Sequence, residues 1–160
     1  VVETGRYAYT GWSGRLSEED HQIVDNALAT ASCKSLGSRT MCSLSDGEQQ
    51  KILMAKAIAQ QTPLILLDEP TAFLDYTTTP AWLHLLHRLA HEEGKAIVFS
   101  CHDIETALRT SDEVWVMHEG KLLTGTPSQL AQDGTIGKCF DSEYVHFNAQ
   151  NLRFDITPNT

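Results

Sequence analysis

Apolar residues recur at three- and four-residue spacing at Ile23, Val24, Ala27, Leu28 and Ala31, which predicts a helix with one buried stripe. Ser17, followed by Glu18, Glu19 and Asp20, supplies a cap and an acidic first turn for that helix. Residues 33–43 break the rhythm with Gly37 and small polar side chains and read as a loop. A second helix is expected from near Ser45 to about Gln60, with Ile52, Ala55 and Ala59 on its inner face.

Leu64-Ile65-Leu66-Leu67 is an unbroken apolar run ending in Asp68-Glu69-Pro70, which predicts a strand covered on both faces. Pro70 stops it from continuing. A helix over 80–93, a strand over 96–100, a short helix over 104–110 and a strand over 114–117 follow. Alternation of strand and helix predicts an α/β fold with a mainly parallel sheet. His118-Glu119-Gly120-Lys121 reads as a hairpin turn into a strand over 122–124, and 127–131 as a short helix. Residues 144–147 and 152–156 alternate as edge strands do; the rest of the tail is weakly patterned.

Composition narrows the function classes. Twelve Lys and Arg stand against 21 Asp and Glu in 160 residues, a formal charge of −9. Nucleic acid is therefore a poor partner, because tracking phosphates requires clustered cations. A chain of this length buries roughly 70% of the surface its unfolded form exposes, enough for a core without staples. Its four cysteines include no Cys-x-x-Cys pair, which argues against a zinc or redox centre and for a reducing compartment. No apolar run approaches the ~18 residues that span a bilayer. The chain starts at Val1 and its first Met is Met41, so it reads as a piece of something longer.

Two short stretches carry chemistry. In a parallel sheet the carboxyl ends of strands face the ligand crevice, so Asp68 and Glu69 are placed to hold a magnesium ion and to orient or deprotonate an attacking water. An acidic turn after an apolar strand is an equally good reading of those two residues alone. Leu44-Ser45-Asp46-Gly47-Glu48-Gln49-Gln50 has the Ser-x-x-Glu spacing of a capping box. The same helix end could also present free N–H groups and its dipole to a phosphate, with Gly47 permitting close approach. Asp46 and Glu48 weaken that attraction, so the anion would have to arrive as a magnesium-compensated nucleotide. His84, His87 and His91 share a helical face with Arg88, opposite Trp82, Leu85, Leu86 and Leu89; a charged outer face accounts for them better than a metal site.

In order along the chain stand Leu-Ser-Asp-Gly-Glu-Gln-Gln, Leu-Ile-Leu-Leu-Asp-Glu-Pro-Thr, Phe-Leu-Asp and Ser-Cys-His-Asp. This set resembles the ATP-binding subunits of ABC transporters: Leu44 to Gln50 the signature motif, Leu64 to Glu69 the Walker B strand, Leu74-Asp75 the D-loop, and His102 the switch histidine. The resemblance implies a P-loop NTPase core with ATP and Mg2+ as ligands. It assigns Asp68 to the metal, Glu69 to the attacking water, His102 to the terminal phosphate, and Asp75 to communication across a dimer. Ser45, Asp46, Gly47 and Glu48 would act in trans, on nucleotide held by a second ATPase subunit in a head-to-tail dimer.

Departures accompany the matches. Asp46 stands where the family more often has Gly, Glu48 for Gln, Ala72 for Ser and Cys101 for Thr; none removes a catalytic group. A phosphate loop of the form Gly-x-x-x-x-Gly-Lys-Ser/Thr does not occur, because Gly94-Lys95, Gly120-Lys121 and Gly137-Lys138 have neither the preceding Gly nor the following hydroxyl. The resemblance then implies a helical subdomain over 1–45, a partial P-loop NTPase core over 46–125 and a C-terminal extension over 126–160. The 160 residues alone are expected to hydrolyse no ATP. Gly5-Arg6-Tyr7-Ala8-Tyr9-Thr10-Gly11-Trp12 resembles the corresponding segment of iron-chelate, haem and cobalamin importers, although the family often has Pro where Ala8 stands.

The expected function is that of an importer's ATPase subunit, peripheral on the inner face of the cell membrane and docked on a transmembrane permease, without nucleic acid. Two alternatives stay open: a DNA-repair or ribosome-associated ATPase of the same type, and a non-catalytic interaction fragment keeping only the signature half of a site.

Overall fold

The structure is a computed structural model that describes residues 1–12 and 14–157. Two compact units divide the chain, residues 1–100 and residues 101–160, and each has its own core.

In the first unit a 3-10 turn, Val2–Arg6, leads to helix α1, Glu18–Thr30. Ser17 caps α1 in a reciprocal box with Asp20, the third residue of the helix, so the acidic first turn both pairs with the dipole and closes the cap. The loop that follows contains two further 3-10 turns, Lys34–Leu36 and Met41–Ser43. Helix α2, Asp46–Ala59, starts at a second capping box made by Ser45 and Glu48. Ile52, Met54, Ala55 and Ala59 of α2 meet Val24, Ala27 and Leu28 of α1 in one cluster. The small residues Ala55 and Ala59 are fully buried, which lets neighbouring backbone come close.

Strand β1, Leu64–Leu67, pairs in parallel with β2, Ala96–Phe99, with Leu67 opposite Phe99. Between them runs α3, Thr78–His91, whose Trp82, Leu85, Leu86 and Leu89 are buried on one face. Removing each such side chain from water contributes roughly 1.5–3 kcal/mol, which fixes α3 against the core. His84, His87 and His91 are exposed on the other face, as the periodicity requires, and the rings of His87 and His91 stack with centroids 4.2 Å apart.

Two expectations are corrected here. β1 is covered on one face only: Ile65 is 3% exposed, whereas Leu64 and Leu66 are 46% and 69% exposed. Ile65 and Leu67 share a face with Ile97 and Phe99 of β2, and Leu67, Ile97 and Phe99 pack on the core; the described residues leave Leu64, Leu66 and Val98 on the other face largely open. Helix α3 begins two residues before Pro80, which falls in the first turn, where its missing N–H is no loss. The Val2–Arg6 turn, which no period in the sequence announces, docks against α2 through Gly5.

The second unit holds α4, Ile104–Thr110, the antiparallel hairpin β3–β4, Val114–His118 with Lys121–Gly125, and α5, Pro127–Gln132. Glu119 and Gly120 both have positive φ, the two-residue turn whose twist suits a tight hairpin. Helix α6, Thr135–Phe140, lies in the weakly patterned tail; its single buried residue, Ile136, gives no period to read. A last hairpin, β5–β6, pairs Val145–Asn148 with Arg153–Ile156. Leu108, Val116, Leu130 and Ile136 form the second core. Among the described residues no helix is long and apolar enough to cross a membrane.

Candidate active site

Ser45, Asp46, Gly47 and Glu48 at the start of α2, with Lys51, line an open cleft of about 490 Å³ together with Phe73, Leu74, Asp75 and Thr78. The fold thus brings the signature-like segment and the Asp75 loop to one place. The capping box is formed: Glu48 N–H donates to Ser45 Oγ at 3.4 Å, and Ser45 N–H donates to Glu48 Oε2 at 2.9 Å. Arg39 Nη1 donates to Glu48 Oε1 at 3.3 Å and its Nη2 to the Ser43 carbonyl at 2.6 Å. The Ser45 N–H, first, and then the Ser45 hydroxyl and Arg39 hold the Glu48 carboxyl below its ordinary range. Arg39 therefore offsets part of the acidity that sets this helix end against an anion. No pattern in the sequence announces it, because the Met41–Ser43 turn is what folds it back.

Gly47 is required by packing as much as by any ligand. A Cβ placed there would lie 3.2 Å from the Phe73 carbonyl oxygen, so the loop after β1 presses directly on the helix. Phe73 itself takes a left-handed backbone, φ 63°, which aims its carbonyl at α2 while its ring stays exposed. Asp75 is spent locally: Oδ1 accepts from Thr77 N–H at 2.9 Å and Thr78 N–H at 2.7 Å, and Oδ2 from the Thr78 hydroxyl at 2.9 Å. The Thr77 hydroxyl, then the Thr78 N–H and hydroxyl, hold its carboxyl down to about 2. This loop starts α3 earlier than Pro80 because the Asp75 carboxylate, not Thr77, serves the free N–H groups.

Asp68 and Glu69 stand at the carboxyl end of β1, outside the residues lining that cleft. Asp68 is exposed and Glu69 half-buried. Ser100, just past β2, donates its hydroxyl to Asp68 Oδ1 at 2.6 Å and accepts the Glu69 N–H at 2.8 Å. Glu69 has φ 44°, a left-handed conformation rare for a residue with a side chain. Such outliers gather where a fold over-determines its backbone, functional sites included.

The donor set here is all oxygen, and among the described residues no three His, Cys, Asp or Glu close on one point. That suits Mg2+, which keeps most of its waters and takes one or two carboxylates plus phosphate oxygens, and does not suit a caged transition metal. His102 belongs to the second unit, exposed in the turn before Asp103, whose side chain caps α4.

Residues 2–72 match the ABC transporter family. A petrobactin import ATP-binding protein of Bacillus anthracis is 40% identical over 131 residues, 81% of this chain and 48% of that protein. A cobalamin import ATP-binding protein of Halobacterium salinarum is 38% identical over 143 residues, 89% of this chain and 35% of its own length. An ATP-binding cassette solved as a dimer in a post-hydrolysis state with ADP and Pi superposes with a TM-score of 0.69 at 29% identity, over 79% of this chain and 54% of its own. The chain spans about half or less of the length of each.

Proposed function

This chain belongs to the ABC transporter family, and on that premise we propose that it is part of the ATP-hydrolysing subunit of an importer for an iron-chelate, haem or cobalamin. Its reading as an importer piece is supported by the petrobactin and cobalamin relatives, and its reading as an ATPase by one observation above all. Two adjacent acids close β1 at the carboxyl end of a parallel pair, the end at which open α/β sheets take their ligands.

In this reading Mg2+, when bound with ATP, neutralises charge developing on the phosphates. Asp68 would hold it, and Glu69 would orient or deprotonate the water. His102 is assigned to the terminal phosphate by its motif alone. Ser45 and Gly47 would cover nucleotide carried by a second subunit, with Asp46 and Glu48 beside them and Arg39 moderating their charge. Asp75 would report across that dimer. Residues 1–45 would serve as the helical subdomain that meets a transmembrane permease, 46–125 as the partial catalytic core and 126–160 as an extension; the subunit would sit on the cytoplasmic face of the membrane.

Glu69→Gln in the full-length subunit tests the assignment: ATP turnover is expected to stop while an ATP-bound dimer accumulates in size-exclusion chromatography. Undiminished turnover would remove Glu69 from the water-orienting role. The 160 residues alone, which have no phosphate loop, are expected to show no Mg2+-dependent turnover above the same variant.

A further inference from the structure

We propose that Ser100 is a positioning residue for the ATPase reaction, its hydroxyl locking the metal-binding Asp68 and the water-orienting Glu69 into a single arrangement; the proposal rests on the reading of those two acids given above. The hydrogen-bond logic leaves one assignment. The Glu69 N–H can only donate, so Ser100 Oγ accepts there at 2.8 Å and its one proton goes to Asp68 Oδ1 at 2.6 Å. An O–H to carboxylate bond of that length is of the strong, charge-assisted kind. One hydroxyl thus fixes the side chain of one acid and the main chain of the next.

The fold gives this hydroxyl little else to do. The β1–β2 ladder is complete without it, since Ser100 N–H donates to the Leu67 carbonyl at 3.0 Å through the backbone. Among the described residues, the hydrogen bonds of the hydroxyl go to the two acids. Asp68 is solvent-exposed, where a carboxylate without such a tie samples several rotamers. Glu69 sits at φ 44°, a conformation that needs an outside partner to persist, and the Ser100 oxygen receives the N–H of that same residue. A cation held through only one or two carboxylates depends on their orientation, and partners that orient metal ligands typically matter 10–100-fold in affinity or activity.

Ser100→Ala and Ser100→Thr in the full-length subunit, beside Asp68→Asn and Glu69→Gln, test the idea. Ser100→Ala is expected to lower kcat about tenfold with KM for ATP changed less than about twofold, and to weaken Mn2+ binding, read by electron paramagnetic resonance with a non-hydrolysable ATP analogue, by about tenfold. Ser100→Thr, which keeps the hydroxyl, is expected to restore both. In the 160-residue chain, hydrogen exchange at the Glu69 amide is expected to quicken in Ser100→Ala and not in Ser100→Thr. If Ser100→Ala leaves turnover, Mn2+ affinity and Glu69 exchange unchanged while Asp68→Asn and Glu69→Gln abolish turnover, the positioning role falls and the site reading stands. If Asp68→Asn and Glu69→Gln both keep full turnover, the site reading falls and takes the proposal with it.

Discussion

Arg6 donates from Nε to Asp20 Oδ1 at 2.8 Å, with the two side chains 6% and 9% exposed. Its Nη1 also donates to the Ala59 carbonyl and to Gln61 Oε1, both at 2.9 Å, and the guanidinium lies 3.9 Å from the centroid of the Tyr9 ring. One side chain therefore joins the Val2–Arg6 turn, the first turn of α1 and the end of α2. Lys34 and Asp25 form the contrasting pair, 3.4 Å apart with both side chains more than 60% exposed.

Removing one member of a withdrawn pair strands the other charge, whereas an exposed pair contributes little. Arg6→Met is therefore expected to lower the thermal midpoint of the chain clearly and Lys34→Met to leave it in place. Circular dichroism melts of the two variants decide it; equal shifts would mean that the buried network holds nothing together.

Acid should act on the same junction. The Ser17 N–H, the Ser17 hydroxyl and Arg6 hold the Asp20 carboxyl down to about 2, against an ordinary 3.8. A carboxyl depressed in the fold stabilises it fully above the unfolded value and loses that contribution as pH falls through the folded one. Urea midpoints should thus be level from neutrality to about pH 5 and fall between about pH 4 and pH 2. Asp75, also held to about 2, adds to the fall. Asp20→Asn should start lower and decline less steeply over that interval; a parallel decline would exclude Asp20 from the acid response.

Gly5 packs so closely on α2 that a Cβ would sit 2.7 Å from the Lys56 carbonyl oxygen. That oxygen is helix backbone and cannot swing aside as a flexible side chain would. Gly5→Ala should therefore destabilise the chain by about 1–3 kcal/mol, the usual range for overpacking. Gly11→Ala, where nothing lies within 4 Å of the added carbon, is the control and should be near neutral in the same urea titration.

What the sequence made legible follows from which interactions are local. Helices α1, α2 and α3 and strand β1 were readable because their apolar spacing is continuous, and Ser17 and Ser45 announce caps three residues ahead of their acids. The relations that shape the candidate site are not of that kind. Ser100 meets Asp68 across 32 positions, Arg39 meets Glu48 across nine, and the Phe73 carbonyl reaches Gly47 only through a left-handed turn. The Leu64-Ile65-Leu66-Leu67 run misleads on one face for a similar reason. Four apolar residues state that a strand is apolar on both sides, not what lies beside it.

Asp75 separates capping from charge and so makes a sharp last test. Its Oδ1 serves the N–H groups of Thr77 and Thr78, and Thr78 N–H also donates to the Asp75 carbonyl at 3.1 Å, so Asp75→Ala removes the side-chain acceptor from both and should speed hydrogen exchange most at the Thr77 amide. Asp75→Asn keeps an oxygen in the same place and should preserve their protection while deleting the negative charge. In the full-length subunit the two variants then divide the possibilities. If Asp75 works across a dimer through its charge, Asp75→Asn will lower ATP turnover with α3 intact. If it only caps α3, Asp75→Asn will turn over ATP as the unmodified subunit does, and Asp75→Ala alone will be impaired.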